Sequence, residues 1–285
     1  QYLIHLSFNR HIFEIMCFIN EKASYAEFIK IYSKSTFAGH RTAKVHCFQT
    51  FILFLEESED VNNIIIVSNQ RERNEEVAAE IKQRYGVEAL ALYADLSKAD
   101  SAEQIYEWCK EQGYEVSTLV SNAGILQFGM FLHTKPSMAD FITNLHCITP
   151  SKLCRLFGAD MCSRGDGRIL IMSSMTAWTP FITVSYYAAT KAYLKSFAQS
   201  LWYEFRPYGV TVTTVYPGAV DTPLYNLPES KRRLFRALGV MSSAESVAKK
   251  GLRAMNRRRR RLIPGLFSKI VVAICAVLPA VVLLP

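Results

Sequence analysis

Short apolar runs alternate with longer amphipathic segments through most of this 285-residue chain. The apolar runs lie at 64–67, 87–93, 116–120, 168–172 and 209–215. They are apolar throughout rather than at every second position, which is typical of strands covered on both faces. Segments long enough for helices separate them, and this order favours right-handed βαβ units. The sequence therefore predicts an α/β fold with a doubly wound parallel sheet.

Polar residues and a proline follow several of the predicted strands. In open parallel sheets ligands bind beyond the carboxyl ends of the strands. Asp95, Asn122, Ser174 and Pro217 each come just after such an end. The pattern predicts a ligand site along this one edge of the sheet.

A tyrosine and a lysine lie one helical turn apart on the predicted helix that begins near Ser185. Tyr187 and Lys191 are four residues apart, so their side chains share a face. A phenol has a reference pKa of about 10, and an ammonium about 4–6 Å away can lower it by roughly 1–3 units. Ser174 lies thirteen residues before Tyr187, at a strand end. The three residues predict a tyrosine that exchanges a proton beside a hydroxyl that binds an oxygen.

The same four-residue spacing recurs at Tyr106 and Lys110. Thirteen residues before Tyr106 stands Tyr93, not a serine that ends a strand. Spacing alone is therefore a weak signal, and this second pair is interpreted as ordinary side chains of an amphipathic helix.

Several motifs occur in an order that resembles one known family. Ser121-Asn-Ala-Gly124 follows a strand, Ala94-Asp-Leu96 forms an acidic turn, and 216–222 reads Tyr-Pro-Gly-Ala-Val-Asp-Thr. Together with Ser174, Tyr187 and Lys191, these motifs make the chain similar to the short-chain dehydrogenases/reductases over about 64–256. The resemblance implies a Rossmann-like, NAD(P)-dependent oxidoreductase.

The resemblance also assigns roles to individual residues. It implies that Ser174 binds the substrate oxygen, Tyr187 is the general acid, Lys191 supports it and holds the ribose, and Asn144 anchors a water. Cofactor contacts are implied for Tyr187 and Lys191 and for these further residues: Asp95, Asn122, Ala123, Gly124, Pro217, Gly218, Val220 and Thr222.

The end of the second strand bears on cofactor choice. An acidic residue there would bind the ribose hydroxyls of NAD, but Ser68 and Asn69 occupy the place. Arg71 and Arg73 are near enough to meet a 2′-phosphate, although both also suit the exposed start of a helix. NADP is therefore favoured over NAD.

The first 62 residues depart from the family pattern. The family has a Thr-Gly-x-x-x-Gly-x-Gly turn whose backbone approaches the pyrophosphate. In the best alignment here, Phe37, Arg41 and Ala43 replace the glycines. Three interpretations stay open: a segment foreign to the fold, a diverged phosphate loop that uses Arg41 or Lys44, or lost cofactor binding. The first βα unit is expected to be irregular.

Composition narrows the remaining function classes. Seven cysteines without a C-x-x-C pair indicate neither a disulfide framework nor a metal site, and favour a reducing, cytoplasmic compartment. The net charge of +8 depends largely on five arginines at 257–261. This run has no interleaved aromatic residues, so nucleic-acid binding is not expected.

The last segment, 257–285, combines this basic run with an apolar tail. A spanning helix needs roughly 20 apolar residues, whereas 270–285 is shorter and contains Pro279. Three uses stay open: a lid over the substrate cleft, an interfacial membrane anchor, or part of a spanning helix. The chain is thus divided into 1–62, a Rossmann-like domain at 63–256, and 257–285.

Apolar residues dominate the expected substrate pocket, formed by 125–131, 175–181 and 224–240. We therefore expect carbonyl–alcohol interconversion on a hydrophobic acyl or sterol-like substrate, by an enzyme that is a homo-oligomer. The alternatives are a non-catalytic binding protein with this fold and an incomplete gene product that has lost cofactor binding.

Overall fold

Among the residues that the structure describes, a seven-stranded sheet forms the centre of the protein. The computed structural model describes residues 4–7, 14–17, 46–48, 50–55, 63–85, 88–221 and 228–278. The sheet strands are β4 (Thr50–Leu55), β5 (Asn63–Ser68), β6 (Ala89–Tyr93), β7 (Val116–Ser121), β9 (Gly167–Met172), β10 (Val210–Val215) and β13 (Arg261–Leu262). Across the sheet they lie in the order β13-β10-β9-β7-β4-β5-β6.

The shorter strands form separate pairs beside this sheet. They are β1 (Ile4–Ser7) with β2 (Glu14–Cys17), β3 (His46–Phe48) with β8 (Gly124–Leu126), and β11 (Ala219–Asp221) with β12 (Met241–Ser243). The α-helices are α1 (Arg71–Tyr85), α2 (Ser101–Glu111), α3 (Ser137–Thr143), α4 (Thr149–Arg164), α5 (Ser185–Phe205), α6 (Glu229–Ala237), α7 (Ala244–Asn256) and α8 (Leu266–Val277).

Two apolar cores cover the two faces of the sheet. Neighbouring residues of one strand alternate between them: Ile64 and Ile66 of β5 belong to one core, and Ile65 and Val67 to the other. Helices α1 and α7 pack on the first face, and α2, α4 and α5 pack on the second. The predicted α/β fold with a doubly wound sheet is confirmed.

One strand departs from the parallel arrangement that was predicted for the sheet. Strand β4 lies between β5 and β7 and runs antiparallel to both, whereas β5–β6, β7–β9, β9–β10 and β10–β13 are parallel. Only seven residues separate β4 from β5. Parallel neighbours need a crossover of a dozen or more residues, so this short connection permits only an antiparallel pair. The antiparallel direction of β4 is the irregularity of the first βα unit that the sequence predicted.

Strands from all three predicted segments join the same sheet. β4 comes from the first 62 residues, and β13 comes from 257–285. The boundaries at residues 62 and 257 stay predictions. The proposed glycine-turn replacement at 35–44 and Thr222 lie outside the described residues.

A π-helical turn, Asn144–Ile148, joins α3 to α4 without a break in the helix. Pro150 follows it at the start of α4 and has no N–H, so the ordinary helical bond to the His146 carbonyl cannot form. Single π turns inside α-helices occur frequently at functional sites. Here the turn faces the carboxyl edge of the sheet through His146, as described below.

At the end of the chain, α8 packs against the loop after β10. A Cβ on Gly218 would collide with Ser268 Oγ, so a larger residue here would require the Ser268 hydroxyl to move. Within the part of the chain that the structure describes, no helix has both the length and the apolar character needed to cross a bilayer.

Candidate active site

Ser174, Tyr187 and Lys191 meet at the carboxyl end of β9. Ser174 comes after the strand and accepts the Thr176 N–H at 3.2 Å, and its hydroxyl lies close enough to the Tyr187 hydroxyl to lower the pKa of that phenol. On α5 the Lys191 ammonium lies 5.5 Å from the centroid of the Tyr187 ring. The structure thus brings together the three residues that the sequence predicted to converge.

Two hydrogen bonds fix α5 against the end of β9. Lys191 Nζ donates to the Met172 carbonyl at 2.9 Å, and Ser173 Oγ donates to the Lys191 carbonyl at 2.9 Å. Lys191 is 4% exposed. Ser173 therefore has a structural role in positioning Lys191, while its neighbour Ser174 contacts the phenol.

Burial changes the proton affinities of the pair in a way that the sequence did not predict. Burial raises the pKa of Tyr187, and the hydrogen bond from Ser174 offsets only part of this rise. Burial also lowers the pKa of Lys191 to about 8. The expectation that the ammonium lowers the Tyr187 pKa is wrong for this structure, because both groups are desolvated and desolvation favours their neutral forms. At neutral pH Tyr187 is a protonated phenol that can donate a proton.

The turn between β7 and β8 provides the opposite wall of the site. A Cβ on Gly124 would lie 3.0 Å from His146 Nε2 and 3.6 Å from Lys191 Nζ, so a larger residue would press on the buried His146 ring. Ala123 is buried. Asn122 Nδ2 is buried and has no hydrogen-bond partner among the described residues. A buried donor without a partner is costly, and an acceptor from a bound cofactor would satisfy it.

Asp95 and Asn144 both contact Ser97, in the turn after β6. Asp95 accepts the Ser97 N–H at 3.1 Å and its hydroxyl at 2.6 Å. Asn144 Nδ2 donates to the Ser97 carbonyl at 3.0 Å. The Asn144 side chain therefore ties the π-helical turn to this loop, and its implied role as a water anchor stays a prediction.

The loop after β10 approaches the site from the other side. Met175 donates its N–H to the Pro217 carbonyl at 2.9 Å, which joins this loop to the turn after Ser174. Gly218 contacts Ser268 of α8, and Val220 is buried in the β11–β12 pair. The cofactor contacts implied for Pro217, Gly218 and Val220 stay predictions.

Sequence reasoning did not identify His146, which is fully buried beside these residues. Its Nε2 accepts the Ile125 N–H at 2.8 Å, and its Nδ1 lies 2.7 Å from Thr190 Oγ1. Its ring packs edge-to-face on Tyr187 with the centroids 5.9 Å apart. The available signal was a histidine four residues before a proline inside a predicted helix.

The cofactor's two ends would meet different surroundings. The described residues fit a nicotinamide and its ribose: the Asn122 donor lacks a partner and Gly124 allows close approach. At the diphosphate position, β4 is reversed and its amino end reaches the carboxyl edge, while β3 pairs antiparallel with β8. No described helix begins just after β4, so the described residues fit the reacting half and lack the usual diphosphate turn.

A cavity of about 370 Å³ lies beside the loop 176–181. Its α5 lining consists of Ser185, Ala188, Ala189 and Ala192. These residues face away from Tyr187 and Lys191 on a helix of 3.6 residues per turn. The cavity is therefore not the space in front of the phenol. Leu224 and Tyr225, which the sequence placed in the substrate pocket, lie outside the described residues.

Comparison with known proteins identifies the family to which this fold belongs. The model of the family described as short chain dehydrogenase matches residues 57–232. Mouse 17-beta-hydroxysteroid dehydrogenase type 3 is 28% identical over 226 residues, which cover 77% of this chain and 69% of that protein. The very-long-chain 3-oxoacyl-CoA reductase of Anas platyrhynchos is 28% identical, over 62% of this chain and 60% of that protein.

A solved structure shows the same fold. A short-chain dehydrogenase from Sphingobium yanoikuyae in complex with NADPH superposes with a TM-score of 0.63, at 24% identity, over 72% of this chain and 78% of that one. Because the family model covers more than half of the sequence and the fold agrees, the chain belongs to the short-chain dehydrogenase family.

Proposed function

We propose that the chain is an NADP(H)-dependent oxidoreductase that interconverts a carbonyl and an alcohol, with Tyr187 as general acid and base. The observation that carries the proposal is the convergence of Tyr187, Ser174 and Lys191 at the carboxyl edge of the sheet. A module that only binds ligands does not require this combination.

Proton supply is the part of the reaction that this chain's residues perform. Hydride transfer to the carbonyl carbon is the chemistry that a bound nicotinamide cofactor supplies. The Ser174 hydroxyl orients the carbonyl oxygen, and the Tyr187 hydroxyl protonates that oxygen as negative charge develops. Lys191, with a pKa of about 8, is mostly charged at pH 7 and stabilises the phenolate that remains.

Asn122 and Gly124 would hold the nicotinamide end of the cofactor. Asn122 offers a buried amide N–H, and Gly124 leaves room beside Lys191. At the adenosine end, Arg71 lies over the Tyr93 ring at 5.2 Å and Arg73 forms an ion pair with Glu76 at 2.7 Å. Strand β5 ends at Ser68, and the next two residues are Asn69 and Gln70, so no acidic side chain stands at this strand end. The missing carboxylate supports NADP over NAD.

The substrate class follows from the surroundings and from the relatives. Large apolar side chains are exposed near the site, including Phe128, Met130 and Ile182. The relatives named above act, by their names, on hydroxysteroids and on very-long-chain 3-oxoacyl-CoA. Both substrates combine a ketone or alcohol with a large hydrophobic body, and this chemical class is proposed here.

A direct test measures NADPH binding and the oxidation of NADPH by a hydrophobic ketone. The purified chain is titrated with NADPH and NADH by fluorescence, then assayed for NADPH oxidation with a 17-ketosteroid and with a long-chain 3-oxoacyl thioester. We expect NADPH binding and turnover of at least one ketone. A folded, monodisperse sample that binds neither nucleotide would refute the oxidoreductase proposal and favour a non-catalytic or incomplete family member.

Contact with a membrane surface is a second proposal, for the segment 257–285. Leu266, Ile270, Ile274 and Val277 follow each other at helical spacing along α8, and each is at least 44% exposed. Such a stripe suits the boundary of a lipid layer. Two of the five arginines are engaged elsewhere: Arg258 pairs with Asp166, and Arg260 binds the Tyr203 hydroxyl. The apolar stripe, more than the arginine run, supports the proposal.

Truncation after Ile263 tests this membrane contact. The truncated chain should leave the membrane fraction while the full chain stays in it. If the distribution does not change, α8 is not an anchor, and its packing on Gly218 favours the lid hypothesis.

Self-association is the remaining proposal. Helix α5 leaves Ala189, Ala192 and Tyr193 exposed along one side. A second copy could cover this side, and sedimentation of the full chain tests it. A monomer at all accessible concentrations would contradict the homo-oligomer.

A further inference from the structure

His146 lies between two parts of the proposed active site, strand β8 and helix α5, and hydrogen-bonds to both. It is 0% exposed and lies in the π-helical turn between α3 and α4. On one side it meets β8, which follows the Asn122–Gly124 turn, and on the other it meets α5. A buried polar ring that spans two elements in this way fixes their separation.

The hydrogen bonds of His146 have only one consistent direction. Ile125 donates its N–H to Nε2 at 2.8 Å, so Nε2 carries a lone pair and Nδ1 carries the proton. The Nδ1–H group donates to Thr190 Oγ1 at 2.7 Å. Thr190 in turn donates its hydroxyl hydrogen to the Tyr187 carbonyl at 2.9 Å. A series of three hydrogen bonds, each with a defined donor, therefore runs from β8 to the backbone of Tyr187, the proposed general acid.

Protonation of His146 would break this series of hydrogen bonds. An imidazolium carries a proton on Nε2 as well as on Nδ1, so the Nε2–H donor and the Ile125 N–H donor would face each other. The titratable groups around the ring are Lys191 and Tyr187 of α5 and the neighbouring Cys147. Burial first, and the Lys191 charge second, hold the pKa of His146 well below its usual range. Geometry and charge agree on a neutral ring.

We infer that His146 is a positioning residue: through Thr190 it sets the place of Tyr187 relative to the Asn122–Gly124 turn. The inference rests on the proposed function, because that turn is where the nicotinamide end of the cofactor is proposed to lie. His146 does not touch the reacting atoms. A misplacement of about 1 Å in such an arrangement can lower turnover about 100-fold.

Two single substitutions each remove a different hydrogen bond of this series. Thr190→Val keeps the shape of the side chain and removes the middle link, while the Ile125 bond to His146 can persist. His146→Gln places an amide oxygen near the position of Nε2 and can keep the Ile125 bond, but it loses the Nδ1 donor. We expect both variants to lower kcat about 10-fold to 100-fold, with little change in the KM for NADPH.

A buried threonine elsewhere provides the matched control. Thr213 is 0% exposed, lies on β10 rather than on α5, and donates to the Arg259 carbonyl at 2.8 Å. Thr213→Val should lower the melting temperature about as much as Thr190→Val and leave kcat unchanged. The double variant of Thr190→Val and His146→Gln should be no worse than the single variants, because both break one chain. Equal kcat values for wild type and Thr190→Val would overturn the inference.

A measurement without turnover keeps this inference separate from the proposed function. Nitrogen-15 NMR of histidine-labelled protein should show His146 as the neutral Nδ1–H tautomer at a pH where ordinary histidines are already protonated. An Nε2–H tautomer, or protonation near the ordinary histidine pKa, would overturn the inference whether or not the chain has activity. If the tautomer is as expected but wild type does not oxidise NADPH with any ketone, the proposed function fails and the hydrogen-bonded chain stands.

Discussion

Two tyrosine–lysine pairs in this protein have the same spacing and nearly the same local geometry. The Lys191 ammonium lies 5.5 Å from the Tyr187 ring centroid, and the Lys110 ammonium lies 5.6 Å from that of Tyr106. Their proton affinities nevertheless shift in opposite directions. The pKa of Lys191 is lowered to about 8 by burial, whereas the pKa of Lys110 is raised by its hydrogen bond to Asp160.

The difference comes from the surroundings of each helix. Lys110 has a side chain that is 53% exposed and an ion pair with Asp160 at 2.9 Å. Lys191 is buried, and its ammonium donates to the Met172 carbonyl. A helix brings both lysines to their tyrosines, but only α5 lies over the carboxyl edge of the sheet. Local spacing therefore provides proximity, and burial provides the unusual proton affinity.

The largest expected effect concerns the two phenols. Tyr187→Phe should reduce kcat about 10²-fold to 10⁴-fold, because it removes the proposed proton donor while the aromatic packing stays. Tyr106→Phe should leave kcat unchanged, since that hydroxyl bonds to Asp160 of α4 and not to a residue of the proposed site. Steady-state NADPH oxidation by both variants tests this difference. Full turnover by Tyr187→Phe would remove the functional distinction between the pairs.

The second prediction compares the two adjacent serines. Ser174→Ala should reduce kcat/KM about 10²-fold to 10³-fold, because it removes a donor to the developing oxyanion. It should also raise the pKa of Tyr187 further, since the Ser174 bond lowers it. Ser173→Ala, which loses the bond to the Lys191 carbonyl, should cost about 1 kcal/mol of stability and much less activity. If the two variants lose equal activity, the assignment of Ser174 is wrong.

The third prediction concerns stability and pH. The folded pKa of Lys191 is about 8, below the unfolded value of 10.5. The unfolded chain thus binds more protons between these values, and stability should rise as pH increases from about 8 to 10.5. The shift corresponds to about 3 kcal/mol, and the lost Met172 hydrogen bond offsets about 1 kcal/mol.

Lys191→Met should therefore be about 2 kcal/mol more stable than wild type at pH 7, and this advantage should shrink toward pH 10. Lys110→Met should keep the pH dependence of wild type. Urea unfolding at pH 7, 8, 9 and 10 measures both variants. Parallel pH curves for wild type and Lys191→Met would show that Lys191 is not a desolvated cation.

The smallest expected effect is a change in the pKa of Lys110, and it tests whether burial causes the difference between the two lysines. Asp160→Asn removes the charge that raises the pKa of Lys110, and this pKa should return close to its ordinary value of 10.5. It should not approach the value of about 8 for Lys191, because the Lys110 side chain stays in water. Nitrogen-15 NMR of the lysine ammonium groups measures both values. A Lys110 pKa near 8 in this variant would mean that burial is not the cause of the difference.

Much of the fold was predictable because its signals are local. Ile64–Val67 is apolar at every position, and the structure confirms that both of its faces are covered. The reversal of β4 was not predictable from composition or periodicity, since strand direction depends on the length of the connection and on which neighbours are chosen. His146 was missed for a similar reason: its partners, Ile125 and Thr190, lie 21 and 44 residues away along the chain.

The sequence by itself determined the strand–helix alternation, the shared helical face of Tyr187 and Lys191, and the serine that follows β9. These features depend on residues a few positions apart, where backbone geometry leaves little choice. Only the tertiary structure decided that Lys191 is desolvated, that Tyr187 stays protonated, and that His146 joins α5 to β8. Burial and hydrogen bonds between distant segments control proton affinity, and they exist only once the sheet and its helices have packed together.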